Sequence, residues 1–277
     1  MTYPKLFATD LDGTFLNDYK KFNRRRFTEI LAQLETQQAH FVVATGRDID
    51  MIQKDFADYL GKIDIVANNG ALVVAADGTV LHTQTLASTA VIDAVDAIES
   101  MPFKLTRGAV FVSAHHKYML KRHKDFSITN LVFRRLVGVT TYIDDLSEIE
   151  EPILKITFGF EADDTMLFIQ QAQAKLGEHA HVTTSGYGSV DIVGPGINKA
   201  AGIQYVANHY GLALADDLVA FGDGLNDLEM LKAAKYPFAM PNGDEGLTEM
   251  FPLAVADNNH AGVLETIATD PFIDGDI

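Results

Sequence analysis

Side chains that could share one reaction follow apolar runs, or begin a helical pattern, at four points along this chain. They are Asp10 and Asp12 in LFATDLDGT, Thr45, Gly46 and Arg47 in VVATGR, Lys199 in GPGINKAAG, and Asp223, Asn226 and Asp227 in VAFGDGLND. Parallel α/β sheets place their active sites beyond the carboxyl ends of the strands, where several loops converge. We therefore expect these side chains to meet at one edge of a sheet.

The carboxylates suit a magnesium-assisted attack on phosphorus. Asp10, Asp223 and Asp227 supply hard oxygen ligands of the kind that octahedral Mg²⁺ prefers, and Mg²⁺ also accepts phosphate oxygens. The cation offsets the repulsion between neighbouring carboxylates. A carboxylate held against Mg²⁺ and a lysine stays ionised and can attack phosphorus to give an aspartyl-phosphate.

The remaining groups suit proton transfer and phosphate binding. Asp12 could protonate the leaving group and then activate water. The Thr45 hydroxyl and the backbone N–H groups around Gly46 would hold phosphoryl oxygens, while Lys199 would neutralise charge in the transition state. Asn226 is a further candidate phosphate ligand. Arg47 is equally consistent with a surface ion pair.

The spacing of Asp10 and Asp12 predicts an irregular backbone. In an extended strand, residues two apart lie on the same side. We therefore expect a tight turn just after Asp10, which would give the two carboxyl groups different environments and different pKa values.

The elements that must position these groups alternate between strand and helix. Apolar runs and helical periodicity predict strand 5–9, helix 22–39, strand 40–45, helix 48–60 and strand 63–69. This alternation is typical of a parallel sheet covered on both faces. Asn69, at the end of the third strand, would line the site or turn the chain. Asp77-Gly78 between two apolar runs predicts a hairpin.

Between residues 84 and 190, strands and helices are mixed without the alternation that is typical of a parallel sheet. The alternation of strand and helix resumes after Gly194-Pro195-Gly196. The fold class predicted is α/β: a Rossmann-like parallel-sheet core formed by residues 1–83 and 191–277. An inserted α+β domain, residues 84–190, interrupts it.

The motifs resemble those of the haloacid dehalogenase (HAD) superfamily of phosphotransferases. DLDGT, TGR, the lysine of GINK and GDGLND match its four motifs in order. NNGA, VDIVGPGINKA, AMPNG and DNNHAGV resemble stretches of its Cof-type branch, in which a large α/β cap of subclass IIB lies between the second and third motifs. The resemblance covers nearly the whole chain and is weakest in the cap.

The resemblance implies a Mg²⁺-dependent phosphatase acting on small phosphorylated metabolites, such as sugar phosphates or phosphorylated cofactors. It makes Asp10 the nucleophile, Asp12 the acid/base, and Thr45 and Lys199 the phosphate binders. Asp10, the backbone carbonyl of Asp12 and Asp223 would bind the metal, with Asp227 binding directly or through water. The cap would set substrate specificity.

Two alternatives stay open from sequence. A phosphomutase would use the same fold and motifs but return the phosphoryl group to a second hydroxyl. A non-catalytic metabolite-binding protein would keep the fold alone. The intact set of Asp10, Asp12, Lys199 and Asp223 argues against the second.

The composition of the chain narrows the range of possible binding partners. The chain has 277 residues and a formal net charge of -16, which disfavours nucleic acid and anionic membranes. It contains no cysteine, no apolar run long enough to span a bilayer and no signal-peptide pattern. We expect a cytoplasmic protein, a monomer or small homo-oligomer, whose partner is a small phosphorylated metabolite.

One segment reverses the overall charge. Basic side chains dominate between Lys104 and Arg135, where Asp125 is the sole acid. A solvated basic helix face explains this as well as a cap surface that attracts anionic substrates.

Overall fold

The chain forms two compact units. The computed structural model describes residues 3–124, 127–184, 188–269 and 272. The first unit comprises Met1–His82 and Asn198–Ile277, and the second comprises Thr83–Ile197. The boundary expected at residues 190/191 falls inside a strand, Ser189–Val193, that pairs with strands of the second unit on both sides. The second unit therefore continues to Ile197.

The first unit is built on a sheet of seven strands within its described residues, in the order β13-β12-β1-β2-β3-β4-β5. These strands are β1 (Leu6–Thr9), β2 (His40–Ala44), β3 (Asp64–Ala67), β4 (Leu72–Val74), β5 (Val80–Thr83), β12 (Leu218–Gly222) and β13 (Tyr236–Ala239). The five from β13 to β3 run parallel, and β4 is antiparallel to β3. The predicted hairpin is present as β4 and β5.

The helices of the first unit lie between its strands or follow the last strand, β13. They are α1 (Arg24–Thr36), α2 (Ile49–Asp55), α6 (Lys199–Tyr210), α7 (Leu214–Asp217), α8 (Leu228–Ala233), α9 (Glu245–Met250) and α10 (Gly262–Thr269). The helix predicted over 22–39 is shorter, because it begins only after Asn23, whose side chain accepts a hydrogen bond from the Arg26 N–H. The helix predicted over 48–60 ends at Asp55 and is followed by one 3₁₀ turn.

Both faces of this sheet are buried, as expected for parallel strands joined by helices. Alternate residues of β1 point to opposite sides: Phe7 packs among residues of α1, α2 and α10, whereas Leu6 and Ala8 pack among residues of α6, α8 and α9. This packing fixes the carboxyl ends of β1, β2 and β12 side by side.

The second unit is built on a mixed sheet of the order β10-β11-β9-β6-β7-β8 in the described part of the chain. Its elements are α3 (Ser88–Ser100), β6 (Arg107–Val112), β7 (Lys117–Leu120), α4 (Ile128–Val137), β8 (Thr141–Ile143), β9 (Lys155–Gly159), α5 (Ala162–Leu176), β10 (His181–Thr184) and β11 (Ser189–Val193). Apolar residues of α3 and α5 pack on one face of the sheet. This is the inserted α+β domain that the sequence predicts.

No helix in the part of the chain that the structure describes is long and apolar enough to cross a membrane.

Candidate active site

The first aspartate lies where β1 ends. Regular strand geometry stops at Thr9, and the Asp10 N–H donates to the carbonyl of Phe221 in β12 at 3.0 Å. The carboxyl group of Asp10 is largely buried. A turn follows at once, since Gly13 has φ +85°. The predicted break in the strand after Asp10 is therefore present.

The second aspartate contacts basic groups of neighbouring loops. Arg47, which follows β2, donates from Nε and Nη2 to the two carboxylate oxygens of Asp12 at 2.6 and 2.7 Å. The Lys20 ammonium lies 2.7 Å from Asp12 Oδ1, and Arg47 also pairs with Asp55 at 2.7 Å. Burial alone would raise the pKa of Asp12, but the hydrogen bonds and charge of Arg47, aided by Lys20, lower it to about 2.

Two further carboxylates follow β12. Asp227 is fully buried, and its Oδ2 accepts hydrogen bonds from the N–H groups of Asp223 and Gly224, each at 3.0 Å. Asp223 Oδ1 accepts a hydrogen bond from the Thr14 hydroxyl at 2.6 Å. A methyl group at Gly13 would lie 2.2 Å from Asp223 Oδ2, so glycine is needed there for the two loops to approach.

The buried Lys199 connects the aspartate that follows β1 with one of those that follow β12. Lys199 begins α6 directly after Asn198, whose side chain caps the helix by accepting from the Ala201 N–H at 2.8 Å. The Lys199 ammonium lies 2.8 Å from Asp10 Oδ1 and 2.6 Å from Asp227 Oδ1. An ion pair without solvent contact is costly to break, so Lys199 holds both carboxylates in place.

The carboxylates of Asp10, Asp223 and Asp227 carry more negative charge than Lys199 alone balances. Burial raises the pKa of Asp10 well above its usual range, and Asp227 and Asp223 add to the shift despite the lowering effect of Lys199. Burial also raises the pKa of Asp223 to about 6. For Lys199 burial acts to lower the pKa, but the two carboxylates outweigh it and raise the pKa above its usual value. Three carboxylates share this single lysine among the described residues.

The same carboxylates fit a divalent cation. One oxygen from each of Asp10, Asp223 and Asp227 lies within 4.8 Å of the other two. A cation between them would replace the missing positive charge, and carboxylate oxygens suit a hard ion. The side chain of Asp12 is not part of this group, because it points to Arg47 and Lys20.

The predicted phosphate binders lie in the loops after β2 and β12. Thr45 is buried, its hydroxyl accepts from the Arg47 N–H at 3.2 Å, and its carbonyl accepts from the Asn69 N–H at 2.9 Å. Gly46, between Thr45 and Arg47, is half-buried. The Asn226 side-chain amide reaches the Asn69 side-chain oxygen at 3.5 Å. Asn69 therefore both turns the chain, at φ +58°, and contacts a candidate site residue.

Comparison with known proteins identifies the family. The model of the haloacid dehalogenase-like hydrolase family matches residues 7–267. The chain belongs to this family. It is an HAD-type phosphatase, a hydrolase of phosphoric monoesters, and its fold is an α/β core with an inserted cap domain.

Curated relatives support this placement, and a solved structure shares the fold. The 5-amino-6-(5-phospho-D-ribitylamino)uracil phosphatase YbjI of Escherichia coli is 32% identical over 95% of this chain and 94% of its own. The HMP-PP phosphatase of Escherichia fergusonii is 27% identical over 90% of this chain and 88% of its own. A HAD subclass IIB sugar phosphatase has the same fold, with a TM-score of 0.79 and 18% identity. The match covers 96% of this chain and 98% of that one.

Sequence reasoning missed three residues that contact the predicted HAD site residues, Thr14, Lys20 and Asp55. It also missed Asn242, which contacts the turn between Asp12 and Thr14. Thr14 and Asn242 stand inside DLDGT and AMPNG, so the motifs contained a signal for them. Asn242 donates to the Gly13 carbonyl at 2.8 Å and thereby supports the turn after β1. Lys20 and Asp55 lie outside the quoted motifs, and their contacts depend on how two loops fold.

Proposed function

We propose that this protein is a Mg²⁺-dependent phosphomonoesterase that hydrolyses small phosphorylated metabolites through an aspartyl-phosphate on Asp10. One observation carries the proposal: the Asp10 carboxylate lies 2.8 Å from the buried Lys199 ammonium and belongs to the three-carboxylate group with Asp223 and Asp227. A buried carboxylate oriented by a lysine at a strand end is an activated nucleophile without another evident task.

In the proposed site, Asp10, Asp223, Asp227 and the backbone carbonyl of Asp12 would hold the metal. When bound, Mg²⁺ supplies positive charge to the carboxylates and the phosphoryl oxygens. Lys199 lowers the pKa of Asp10 and so works with the positive charge of the metal to favour the ionised carboxylate. The lysine also neutralises negative charge that develops on the phosphoryl group. Asp227 orients Lys199, because its Oδ1 accepts from the ammonium at 2.6 Å while its Oδ2 is fixed by backbone N–H groups.

Phosphate binding falls to the loops after β2 and β12. The Thr45 hydroxyl, the Gly46 N–H and the Asn226 amide would donate to phosphoryl oxygens, together with Lys199. Arg47 and Asn69 would line this part of the site. A backbone hydrogen bond of 2.9 Å joins Thr45, which follows β2, to Asn69, which follows β3.

Asp12 would transfer the protons. With Arg47 and Lys20 against it, the Asp12 carboxyl group is ionised, which is the form that accepts a proton from water in the second half of the reaction. Protonation of the leaving oxygen in the first half requires a protonated Asp12. We infer that the contacts to Arg47 and Lys20 loosen when substrate binds.

The substrate class is proposed from the curated relatives. One is named for a 5-phospho-D-ribitylamino compound and the other for HMP-PP. We propose a phosphate ester of a small metabolite, with sugar or sugar-alcohol phosphates as the first candidates. The net charge of -16 supports a partner other than nucleic acid or anionic membrane. A cytoplasmic monomer or small homo-oligomer is part of the same proposal.

Hydrolysis of p-nitrophenyl phosphate tests the proposed function. We expect release of inorganic phosphate that EDTA abolishes and Mg²⁺ restores, and a loss of at least about a thousandfold in kcat in Asp10→Asn. Asp58→Asn is the matched control, because Asp58 is an exposed aspartate of the same unit that pairs with Arg24. Equal rates in Asp10→Asn and the parent would refute the nucleophile, and rates insensitive to EDTA would refute the metal.

A further inference from the structure

The loop after β1 carries both aspartates of the proposed chemistry on irregular backbone. This β1 loop comprises residues 10–21. Inside it, the Phe15 N–H donates to the Asp10 carbonyl at 3.3 Å, and the Leu16 N–H donates to the Leu11 carbonyl at 2.8 Å. Catalytic groups on a loop need supporting contacts from other elements to stay in a productive geometry. The contacts that hold the β1 loop therefore bear on catalysis.

Three asparagines from the last part of the chain supply such contacts. Asn242 follows β13, and Asn258 and Asn259 open the 3₁₀ turn before α10. They lie in AMPNG and DNNHAGV, two stretches that contain none of the catalytic, phosphate-binding or metal-binding residues of the proposed site. We call Asn242, Asn258 and Asn259 the asparagine clamp.

The asparagine clamp binds two carbonyl groups of the β1 loop. Asn242 Nδ2 donates to the Gly13 carbonyl at 2.8 Å, and Asn258 Nδ2 donates to the Leu16 carbonyl at 3.0 Å. The Asn258 N–H also donates to Asn242 Oδ1 at 3.1 Å, which joins the two asparagines. Asn258 is 4% exposed, so the loss of a partner of its buried amide group would be costly.

The asparagine clamp also binds a carboxylate of the β1 loop. Asn258 Nδ2 donates to Asp18 Oδ1 at 3.2 Å, Asn259 Nδ2 donates to Asp18 Oδ2 at 3.1 Å, and the Asp18 N–H donates back to Asn259 Oδ1 at 3.2 Å. Hydrogen bonds from Asn258 and Asn259 lower the pKa of Asp18, so that it accepts as a carboxylate. Lys20 stands two positions later and contacts Asp12 at 2.7 Å.

The points that the clamp holds lie close to Asp12. Gly13 is its neighbour in sequence, and Leu16 forms a backbone β-bridge with it. A displacement of these points would move the Asp12 carboxyl group with the loop. Misplacement of a catalytic group by about 1 Å can cost about 100-fold in rate.

We propose that the asparagine clamp positions Asp12 for proton transfer to the leaving oxygen by fixing the β1 loop at Gly13, Leu16 and Asp18. This inference rests on the proposed function, in which Asp12 is the acid. The three asparagines are positioning residues, because the hydrogen bonds described end on the loop and not on reacting atoms. A clamp that served only the stability of the unit would affect all phosphate esters alike.

Two aryl phosphates separate leaving-group protonation from the other steps. The nitrophenolate of p-nitrophenyl phosphate leaves readily, whereas the more basic phenolate of phenyl phosphate gains more from a proton given by Asp12. The parameter kcat/KM reports the steps up to phosphoryl transfer and not the later hydrolysis of the aspartyl-phosphate. The ester ratio, defined as kcat/KM for phenyl phosphate divided by kcat/KM for p-nitrophenyl phosphate, therefore measures the action of the acid.

Asn258→Asp is the principal variant. It keeps the shape of the side chain, removes both Nδ2 donors and places a second carboxylate beside Asp18. We expect the ester ratio to fall about tenfold, with KM for p-nitrophenyl phosphate within about twofold of the parent. Asn242→Ala, at an exposed position, should lower the ester ratio about threefold and tests the same claim if Asn258→Asp does not fold.

An exchange of the two partners provides a rescue. In the double variant Asp18→Asn with Asn258→Asp, the amide at position 18 can donate to the carboxylate at position 258, while the contact to Leu16 is still missing. We expect the double variant to recover about threefold of the ester ratio that Asn258→Asp loses. No recovery of the ratio would contradict the contact between the clamp and Asp18.

Thr266→Val is the matched control. The buried Thr266 hydroxyl donates to the Gly262 carbonyl at 2.7 Å and accepts from the Val255 N–H at 3.0 Å, with neither partner in the β1 loop. We expect a loss of stability in urea unfolding together with the parental ester ratio. Hydrogen exchange in peptides covering residues 11–21 should be faster in Asn258→Asp than in the parent, and unchanged in Thr266→Val.

The outcomes separate the clamp from the proposed function. A parent that is inactive on both esters refutes the proposed function itself. With an active parent, an unchanged ester ratio in folded Asn258→Asp and Asn242→Ala overturns only the role of the clamp. Equal losses on both esters, or a similar fall of the ester ratio in Thr266→Val, would show a structural role alone and would also overturn the inference.

Discussion

At the scale of single residues, Asp10 and Asp12 stand two positions apart but lie in opposite electrostatic environments. Asp10 is buried among carboxylates, which raises its pKa, whereas Arg47 and Lys20 overcome the effect of burial on Asp12 and lower its pKa to about 2. The turn at Gly13 makes this separation possible, because an unbroken strand would have left both side chains on one side. Neighbouring carboxylates in different environments can take different roles.

Arg47 is the residue whose removal tests this separation. Arg47→Ala takes away the two-pronged contact with Asp12, and we expect kcat to fall by about 10- to 100-fold as the acid/base loses its position. Arg47→Lys should restore only part of the activity, since an ammonium cannot donate to both oxygens in the same geometry. KM for p-nitrophenyl phosphate should change less than kcat.

Arg24→Ala is the control for Arg47, because Arg24 pairs with the exposed Asp58 in the same unit. An Arg47→Ala enzyme with parental kcat would show that Asp12 does not depend on this contact. Full activity in Arg47→Lys would show that charge alone suffices.

The positions of the candidate site residues in the fold were predictable from sequence, because each of them follows a strand or begins a helix within a short motif. Lys199 is an example: its position after Asn198 at the start of α6 was readable from GINK. The contact between Lys20 and Asp12 was not readable, since it depends on a loop in which Lys20 itself adopts φ +58°. Side-chain contacts between loops follow from the folded chain and not from local pattern.

At the scale of elements, the turn after β1 positions Asp223 through the absence of a side chain at Gly13. Gly13→Ala should cost roughly 1–2 kcal/mol of backbone strain and also displace Asp223, whose carboxylate lies 2.2 Å from the added methyl group. We expect weaker activation by Mg²⁺ and a kcat loss of about 100-fold in phosphate-release assays.

Gly78→Ala is a closely matched control. Gly78 has φ +88°, so an alanine there carries the same backbone strain, but no atom lies within 4 Å of the added methyl group. We expect a similar loss of stability with parental activity. If the two variants lost activity equally, crowding at Asp223 would not be the cause.

The start of β3 carries a buried carboxyl group that should make stability depend on pH. Burial raises the pKa of Asp64 to about 6, despite hydrogen bonds from the Ala76 N–H and the Tyr210 hydroxyl. A folded-state pKa above the unfolded value means that the stabilisation is complete below about pH 4. It is lost as pH rises through about 6, by about 2–3 kcal/mol.

Asp64→Asn should remove this dependence while its side-chain oxygen still accepts both hydrogen bonds. Urea unfolding of the parent and the variant between pH 4 and 7.5 measures the difference. We expect the variant to gain stability relative to the parent as pH rises. A constant difference across this range would contradict the assignment.

At the scale of the whole molecule, the sequence predicted two units but not their exact limits. The alternation of strand and helix in residues 5–69 predicted the parallel strands, yet the sheet order with β1 between β12 and β2 joins segments some 200 positions apart and has no local signal. The boundary between the units differed from the predicted one because local sequence does not determine how a strand pairs. The run SVDIV matches a strand of either unit, and its pairing with β9 and β10 decides which one.

The environment of the basic segment of the second unit was also not predictable from local sequence. Sequence left a solvated helix face and an anion-attracting surface equally open. In the structure Lys121 and Arg122 are paired with acids at the surface whereas Arg134 is buried, so the segment is not one uniform solvated face. Burial of a particular arginine depends on how α4 packs against β6, which periodicity does not specify.

The central claim, that Asp10 becomes phosphorylated during turnover, is tested most directly by trapping the phosphoenzyme. Asp12→Asn, which should attack slowly but hydrolyse the aspartyl-phosphate more slowly still, is mixed with ³²P-labelled substrate and Mg²⁺ and quenched in acid. We predict labelled protein whose phosphate maps to Asp10 by peptide analysis. The variant Asp10→Asn, treated in the same way, should carry no label. Label on another residue, or none while phosphate is released, would contradict the account.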